Sequence, residues 1–328
     1  MLNPYALAEI MALHKLEEVL DYPWEVKYKI NRDSLNSYLR AAEYINRSGA
    51  DVVILEHEFG LCGGFGGEYI VPFVEQIKKP LVVTCHTITD DETSRHGAVL
   101  KRVITAADMI VVMMRQSAEK LVQKYDVPRK KIAVIPHGTP NLPFRATSIY
   151  KKRFGNRIVM GNINLLSEIK GIEYTLEATA KIAKKIPNIL TLIVGQTHPE
   201  VLSYEGEKYR NWLKKIVKNL EITENVRFIN RYVRLEELLE WLKIIDYYVT
   251  PYLDPLQSTS GALAYAIGAG KACISTPYLY AQEVLSKGRG ILVPFRDSKA
   301  IAKAVIALEE NPKRRGVIEK KTYDFGRL

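Results

Sequence analysis

Short continuous runs of Val, Ile and Leu recur along the chain and alternate with segments of helical period. In the first half the runs are DVVILEHE (51–58), PLVVTCHT (80–87), DMIVVMM (108–114) and KIAVIPHG (131–138). Between them, SLNSYLRAAEYINRSG and SAEKLVQKYDV space their apolar residues three or four apart. The second half repeats the theme with RIVMGNI (157–163), LTLIVG (190–195), NVRFINRYV (225–233), DYYVTPY (246–252), ACIST (272–276) and GILVPF (290–295). Apolar runs alternating with helices predict parallel strands buried on both faces, an α/β architecture. Proline and polar residues interrupt the pattern in TPNLPFRATSIYKKRFGN. The expected division is a first domain over 1–140, a linker over 141–156 and a second domain over 157–316.

The most telling stretch is DYYVTPYLDPLQSTSGALAYAIGAGKACIST, residues 246 to 276. A strand (Tyr247 to Thr250) runs into a small-residue loop, then into an apolar helix (Ala262 to Ile267) ended by Gly268 and Gly270. A second strand (Ala272 to Ser275) closes the unit. The first N–H groups of such a helix lack internal acceptors and sit at the positive end of its dipole, which suits an anion. Ser258, Thr259 and Ser260 add hydroxyl donors, and Gly261 admits a phosphate close to the backbone. An ordinary capped helix has the same look. In parallel sheets ligands gather beyond the carboxyl ends of strands. There the chain places His57, His86 and His137 in the first half, and Thr197 with His198 in the second. The glycine-rich GLCGGFGGEYI (60–70) follows a strand but lacks the lysine of a P-loop. It reads as a cleft-facing wall or as a tight turn needing positive φ.

Composition narrows the field. At 328 residues, 47% hydrophobic and 26% charged, the chain is of ordinary globular make-up and long enough for two domains. No apolar run spans a membrane, and no leader is evident in MLNPYALAEIMALHKLEE, so a cytoplasmic location is expected. Three scattered cysteines, Cys62, Cys85 and Cys273, form neither a disulfide framework nor a metal motif. The net charge of +10 is spread along helix faces, which argues against nucleic acid. It fits a phosphorylated small ligand or peripheral contact with an anionic membrane. The usage of Lys, Glu and Ile points toward a thermophile.

Taken in order, LEHEFGLCGG, IPHG, KGIEYTLEA, VGQTHPE, GEKYRNWL, STSGALAYA, STPYLYA and GRGILVPF resemble the nucleotide-sugar glycosyltransferases of family 4. Within that family they resemble a prokaryotic subgroup, over nearly the whole chain. The resemblance implies the GT-B fold: two Rossmann-like, doubly wound parallel-sheet domains facing a cleft, with the donor held mainly by the second. It implies that Lys170 grips the donor diphosphate, that the amides of Ser260, Gly261 and Ala262 face the phosphates, and that His86 reaches the donor sugar. Glu283 falls where the family places an acid near the nucleotide. Ser258, Thr197 and His198 would complete the donor side. His57, Glu58, Gly63, Gly64 and His137 would line the acceptor side.

The sequence departs from the family at several points. Two glutamates that usually flank the serine–glycine loop are Gln257 and Tyr265 here, which hydrogen-bond without charge. Gln257 can hold a sugar hydroxyl. The arginine that usually assists the lysine falls at Leu165. Both ends look short: a first strand and glycine-rich loop are expected upstream, and 317–328 is expected to lead back toward the first domain. The implied activity is retaining transfer of a hexose from a nucleotide diphosphate sugar to a hydroxyl of a sugar, lipid or small molecule. No metal, no cofactor and no protein nucleophile are expected, with His86, Lys170 and Gln257 as the catalytic set. The competing reading is a nucleotide-sugar-binding module of the same fold that has lost transfer. A phosphorylase would need a cofactor lysine and more cleft cations, and an epimerase would need acid pairs at Gln257 and Tyr265.

Overall fold

The computed structural model describes residues 7–15, 20–144, 147–151, 154–155 and 157–327. Two compact units emerge, Met1–Pro136 and His137–Leu328. Several residues of the expected linker (145, 146, 152, 153 and 156) lie outside the described residues. Others belong to the second unit: Lys151 donates to Asp246 Oδ2 at 2.6 Å, and Thr147 donates to Oδ1 of the same side chain.

The first unit runs β1 (Ile10–His14), β2 (Val26–Asn31), α1 (Leu35–Arg47), β3 (Val53–His57), α2 (Ile70–Gln76), β4 (Leu81–Cys85), α3 (Arg95–Ala106), β5 (Met109–Val112), α4 (Arg115–Tyr125) and β6 (Ile132–Val134). All pairings are parallel. β1 and β2 form a two-stranded ribbon, and β3-β4-β5-β6 form a four-stranded sheet. The four apolar runs are these four strands. β1 and β2 went unanticipated: in β2, VKYKIN alternates lysines with Tyr28 and Ile30, the period-two signature of a half-wet strand rather than a continuous run, and β1, IMALH, is only five residues long. Tyr38, Ala41 and Ala42 of α1 share one core with Ile30 and Val53. The three cysteines are buried, and burial pushes the Cys62 and Cys85 thiols up to about 12.

The second unit runs β7 (Ile158–Ile163), α5 (Ile172–Ala183), β8 (Ile189–Val194), α6 (Pro199–Glu205), α7 (Lys208–Asn219), β9 (Val226–Ile229), α8 (Leu235–Ile244), β10 (Tyr247–Thr250), α9 (Gly261–Gly268), β11 (Ala272–Ser275), α10 (Leu279–Val284), β12 (Ile291–Leu292), α11 (Ser298–Glu309) and α12 (Pro312–Phe325). Its six strands lie in the order β12-β11-β10-β7-β8-β9, all parallel. The chain works outward from β7 to β9, then returns to place β10 against the other side of β7. The order reverses there, and in open parallel sheets such a reversal is where ligands sit, beyond the carboxyl ends of the strands, here β7 and β10. Residues 317–327 continue α12 and its end. Tyr323 of α12 donates to the Leu142 carbonyl, and Thr139 donates to the Gly326 carbonyl at 2.6 Å, both contacts within the second unit.

Candidate active site

Two loops leave the switch point. The one after β7 ends in a single 3-10 turn, Glu168–Lys170, and then Gly171 at φ 60°. A Cβ on Gly171 would stand 2.2 Å from the Pro251 carbonyl, so only glycine lets this loop meet the one after β10. Leu253 N donates to Ile169 O at 2.9 Å and joins the two loops. Lys170 therefore ends a turn rather than opening α5. The first amide of that helix, Ile172 N, is taken by the Tyr209 hydroxyl at 3.0 Å.

The Lys170 ammonium lies 4.1 Å from the centroid of the Tyr252 ring. Among the described residues no carboxylate pairs with it. Burial pushes its pKa down to about 8, opposed by the charge of Asp254. Tyr252 is 1% exposed and stacks on Tyr278, with ring centroids 5.1 Å apart. Its hydroxyl donates to Asn164 Oδ1, and a further hydrogen bond joins it to the Ser260 side chain. Asn164 donates to Asn162 Oδ1 at 2.7 Å, and Asn162 donates to the Val249 carbonyl at 3.1 Å. A buried polar chain thus runs from β10 through β7 to the start of α9, and it fixes both loops at once.

Ser260 caps α9, its Oγ accepting from Leu263 N at 3.2 Å. Ala264 N is satisfied by the Ser260 carbonyl, whereas the N–H groups of Gly261 and Ala262 have no acceptor among the described residues. His137 sits beside them: a Cβ on Gly261 would stand 3.2 Å from its Nε2, and its ring meets Tyr265 edge-on at 5.9 Å. Its Nδ1 lies 2.9 Å from the Gly138 carbonyl, an N–H donor position, which leaves Nε2 as the free ring nitrogen of the neutral form. His137 was expected on the acceptor side; it belongs instead to the second unit, against the helix that carries Gly261. Gln257 folds back onto its own loop, Nε2 donating to the Thr259 carbonyl at 2.9 Å. Ser258 is buried within that loop. Glu283 lies on α10, and its carbonyl accepts from Ser286 and Arg289.

Thr197 and His198 serve the framework. The Thr197 hydroxyl donates to Glu207 at 2.6 Å and is 2% exposed. Buried Arg210 braces the same spot through Glu207 and the Gly195 carbonyl. His198 caps α6 by accepting from Glu200 N at 3.3 Å.

In the first unit, His86 Nε2 lies 2.8 Å from Glu56 Oε2, a partner the sequence reading did not name. His57, expected on the acceptor wall, is 1% exposed, and both of its ring nitrogens are buried without a partner among the described residues. It packs edge-on against Phe59 at 5.1 Å. Burial first, and His86 second, push it down to about 4, so it is neutral near pH 7 and offers no polar atom to solvent. Glu58 accepts from Phe59 N and from the Thr87 hydroxyl. Gly63 and Gly64 form a tight turn. A Cβ on Gly63 would fall 1.8 Å from the Arg32 carbonyl, and Gly64 has φ 83°. The turn reading of the glycine-rich stretch therefore accounts for its residues.

The family model of the glycosyl transferases group 1 matches residues 146–325, more than half of the chain. The chain belongs to that family. A second model, glycosyltransferase family 4, matches residues 12–140. An uncharacterized glycosyltransferase of Methanocaldococcus jannaschii is 25% identical over 230 residues, covering 69% of this chain. The chain spans 55% of that relative's length. Among solved structures, Anabaena HepE in complex with UDP and glucose has a TM-score of 0.71 at 15% identity, covering 91% of this chain and 80% of that one. Sucrose-phosphate synthase from Thermosynechococcus elongatus has a TM-score of 0.69 at 17% identity, covering 89% and 74%. The fold is GT-B.

Within this member of the group 1 family the departures at Leu165, Gln257 and Tyr265 have a structural setting. Asn164, next to Leu165, ties the loop to Tyr252. Gln257 keeps its carbonyl oxygen for a donor, and Tyr265 stands against His137. Asn162, Asn164, Tyr252 and Tyr278 escaped the sequence reading because they sit in runs that score as apolar strand and loop. Their signal was a polar asparagine pair at the end of a buried strand.

Proposed function

We propose that the chain is a retaining glycosyltransferase that takes a hexose from a nucleotide diphosphate sugar to a hydroxyl acceptor. One observation carries this reading. A lysine that no carboxylate pairs with and two amides that lack acceptors, both among the described residues, stand on the two loops of one switch point, linked through a single buried tyrosine. The diphosphate would lie on Lys170 and on the Gly261 and Ala262 amides. As the anomeric carbon–oxygen bond breaks, negative charge grows on the departing diphosphate, and these groups stabilise it. The lysine and the helix dipole supply the positive charge, so the reading needs no metal. The departing phosphate takes the acceptor proton, and the Gln257 carbonyl oxygen accepts a sugar hydroxyl.

A panel of UDP-, GDP- and ADP-hexoses tests the reading. The protein is incubated with each donor and a set of alcohol and sugar acceptors, and released nucleoside diphosphate is measured. Product anomeric configuration is read by NMR. Transfer with the donor's configuration kept supports the reading. Inversion defeats the retaining assignment. Donor binding without release of sugar defeats the transferase reading in favour of a nucleotide-sugar-binding module. If no nucleoside diphosphate, with or without its sugar, raises the melting temperature, the diphosphate site itself is wrong.

A further inference from the structure

The second unit holds a cavity of about 410 Å³ at the other end of its sheet. Ile158 opens β7, Asp246 precedes β10 and Lys271 precedes β11, so the cavity lies at the amino ends of the strands. Lys170 and Ser260 follow carboxyl ends, so this is a separate place. Its lining joins the apolar side chains of Phe144 and Ile158 to charged ones, among them Asp246, Lys271 and Glu319, with small and hydroxyl residues between.

Asp246 and Glu309 already hold hydrogen-bond donors, and Glu319 stands in an ion pair. Asp246 accepts from Lys151 at 2.6 Å, from Val159 N at 2.8 Å and from the Thr147 hydroxyl. Glu309 accepts from the Tyr247 hydroxyl and from Arg315. Glu319 shares that arginine at 3.5 Å. Lys271 is the exception. It is 5% exposed and lines the cavity, and among the described residues its ammonium has neither a hydrogen-bond acceptor nor an ion-pair partner. A buried charge without a partner is costly, and an apolar or cationic occupant would leave it bare. A neutral polyol would solvate it without balancing it. An oxyanion does both, because an ammonium is a point charge with three donors.

We propose that this cavity binds a small organic anion, its carboxylate or phosphate group seated on the Lys271 ammonium and its uncharged body against Phe144 and Ile158. Burial holds the Lys271 pKa near 8, with Asp246 and Glu319 opposing and Lys151 assisting, so its amine is open to acylation at mildly basic pH.

The experiment uses the full chain carrying Lys170→Ala, so that anions at the proposed donor site cannot contribute. Lys271 is acetylated with acetic anhydride at pH 8 and followed by peptide mass spectrometry. Inorganic phosphate, acetate and phenyl phosphate are compared with potassium chloride at equal ionic strength. Occupancy slows labelling by 1 + [L]/Kd, about threefold at twice Kd. Phenyl phosphate is expected to protect at the lowest concentration, since it brings both head and body. Unchanged labelling with all three anions overturns the proposal. Equal protection by chloride means an adventitious ion only and overturns it as well. In a second arm, Lys271→Met is expected to lose the rise in melting temperature that phenyl phosphate gives, while a nucleotide-dependent rise in the Lys170 protein persists. A phenyl phosphate rise retained by Lys271→Met places the anion elsewhere. If that variant does not fold, the labelling of Lys271 decides.

Discussion

Replacing Lys170 with methionine should stabilise the protein while weakening the proposed diphosphate site. The ammonium is held at a pKa of about 8 against an ordinary lysine value of 10.5, so keeping it charged at pH 7 costs about 3 kcal/mol. Methionine keeps the stem over Tyr252 but loses the cation–ring attraction, about 0.5–2 kcal/mol. The net gain is about 1–2.5 kcal/mol, or roughly 2–10 °C in melting temperature for a domain of this size. The pH dependence has a fixed sign. Between about 8 and 10.5 the unfolded chain binds the proton and the folded one does not, so wild-type stability rises with pH across that window. The advantage of Lys170→Met should therefore be full below pH 8 and shrink as pH climbs above it. Donor binding moves the other way. Loss of one charge-assisted hydrogen bond costs about 1.5–3 kcal/mol, roughly a 10- to 150-fold weaker nucleotide diphosphate. Thermal unfolding at pH 7 and pH 9.5, with and without UDP or GDP, reads all of this. A variant that melts lower than wild type at pH 7, or keeps the full nucleotide shift, refutes the argument.

Tyr252→Phe keeps the ring under Lys170 but strands Asn164 Oδ1 and Ser260. It should cost about 1–3 kcal/mol in urea unfolding and weaken donor binding, and an unchanged midpoint would show that the buried polar chain carries no load. His57 has its folded pKa lowered from 6.5 to about 4, so wild-type stability is full above 6.5 and falls by about 3 kcal/mol as pH drops to 4. His57→Phe should flatten that acid limb, as measured by urea titration from pH 7 to pH 4; a limb of unaltered slope counts against the assignment. Gly63→Ala drives a methyl into the Arg32 carbonyl, 1.8 Å away, and should cost about 1–3 kcal/mol or more, whereas Gly60→Ala, with open space around it, should be near neutral. Equal unfolding midpoints for the two glycine variants would contradict the turn geometry.

Much of this architecture is written locally. Ten apolar runs correspond to the strands β3 to β12, because a strand buried on both faces needs continuous Val, Ile and Leu wherever it lies in the chain. The serine–glycine loop and its helix are legible for the same reason, since capping and orphan amides depend only on neighbours in sequence. Ser260, Gly261 and Ala262 stand out on that ground, whereas Lys170 enters only through the family resemblance. β1 and β2 were not legible: β2 alternates lysine with apolar positions, and the five residues of β1, IMALH, are too few to set a period.

The placement of those residues required the fold. Lys170 and Ser260 are far apart in sequence and come together only because β10 returns to pair with β7, and a crossover of that length leaves no mark in either segment. Tyr252, Asn164 and Asn162 acquire their meaning from that pairing, because a buried hydroxyl or amide must find its partner across the sheet. Burial likewise sorted the histidines. His57, His86 and His137 look equivalent at their strand ends, yet packing silenced the first, paired the second with Glu56 and laid the third against Gly261. Residue type is a local property, whereas solvation and partnership arise from contacts between distant segments, and those exist only once the chain has folded.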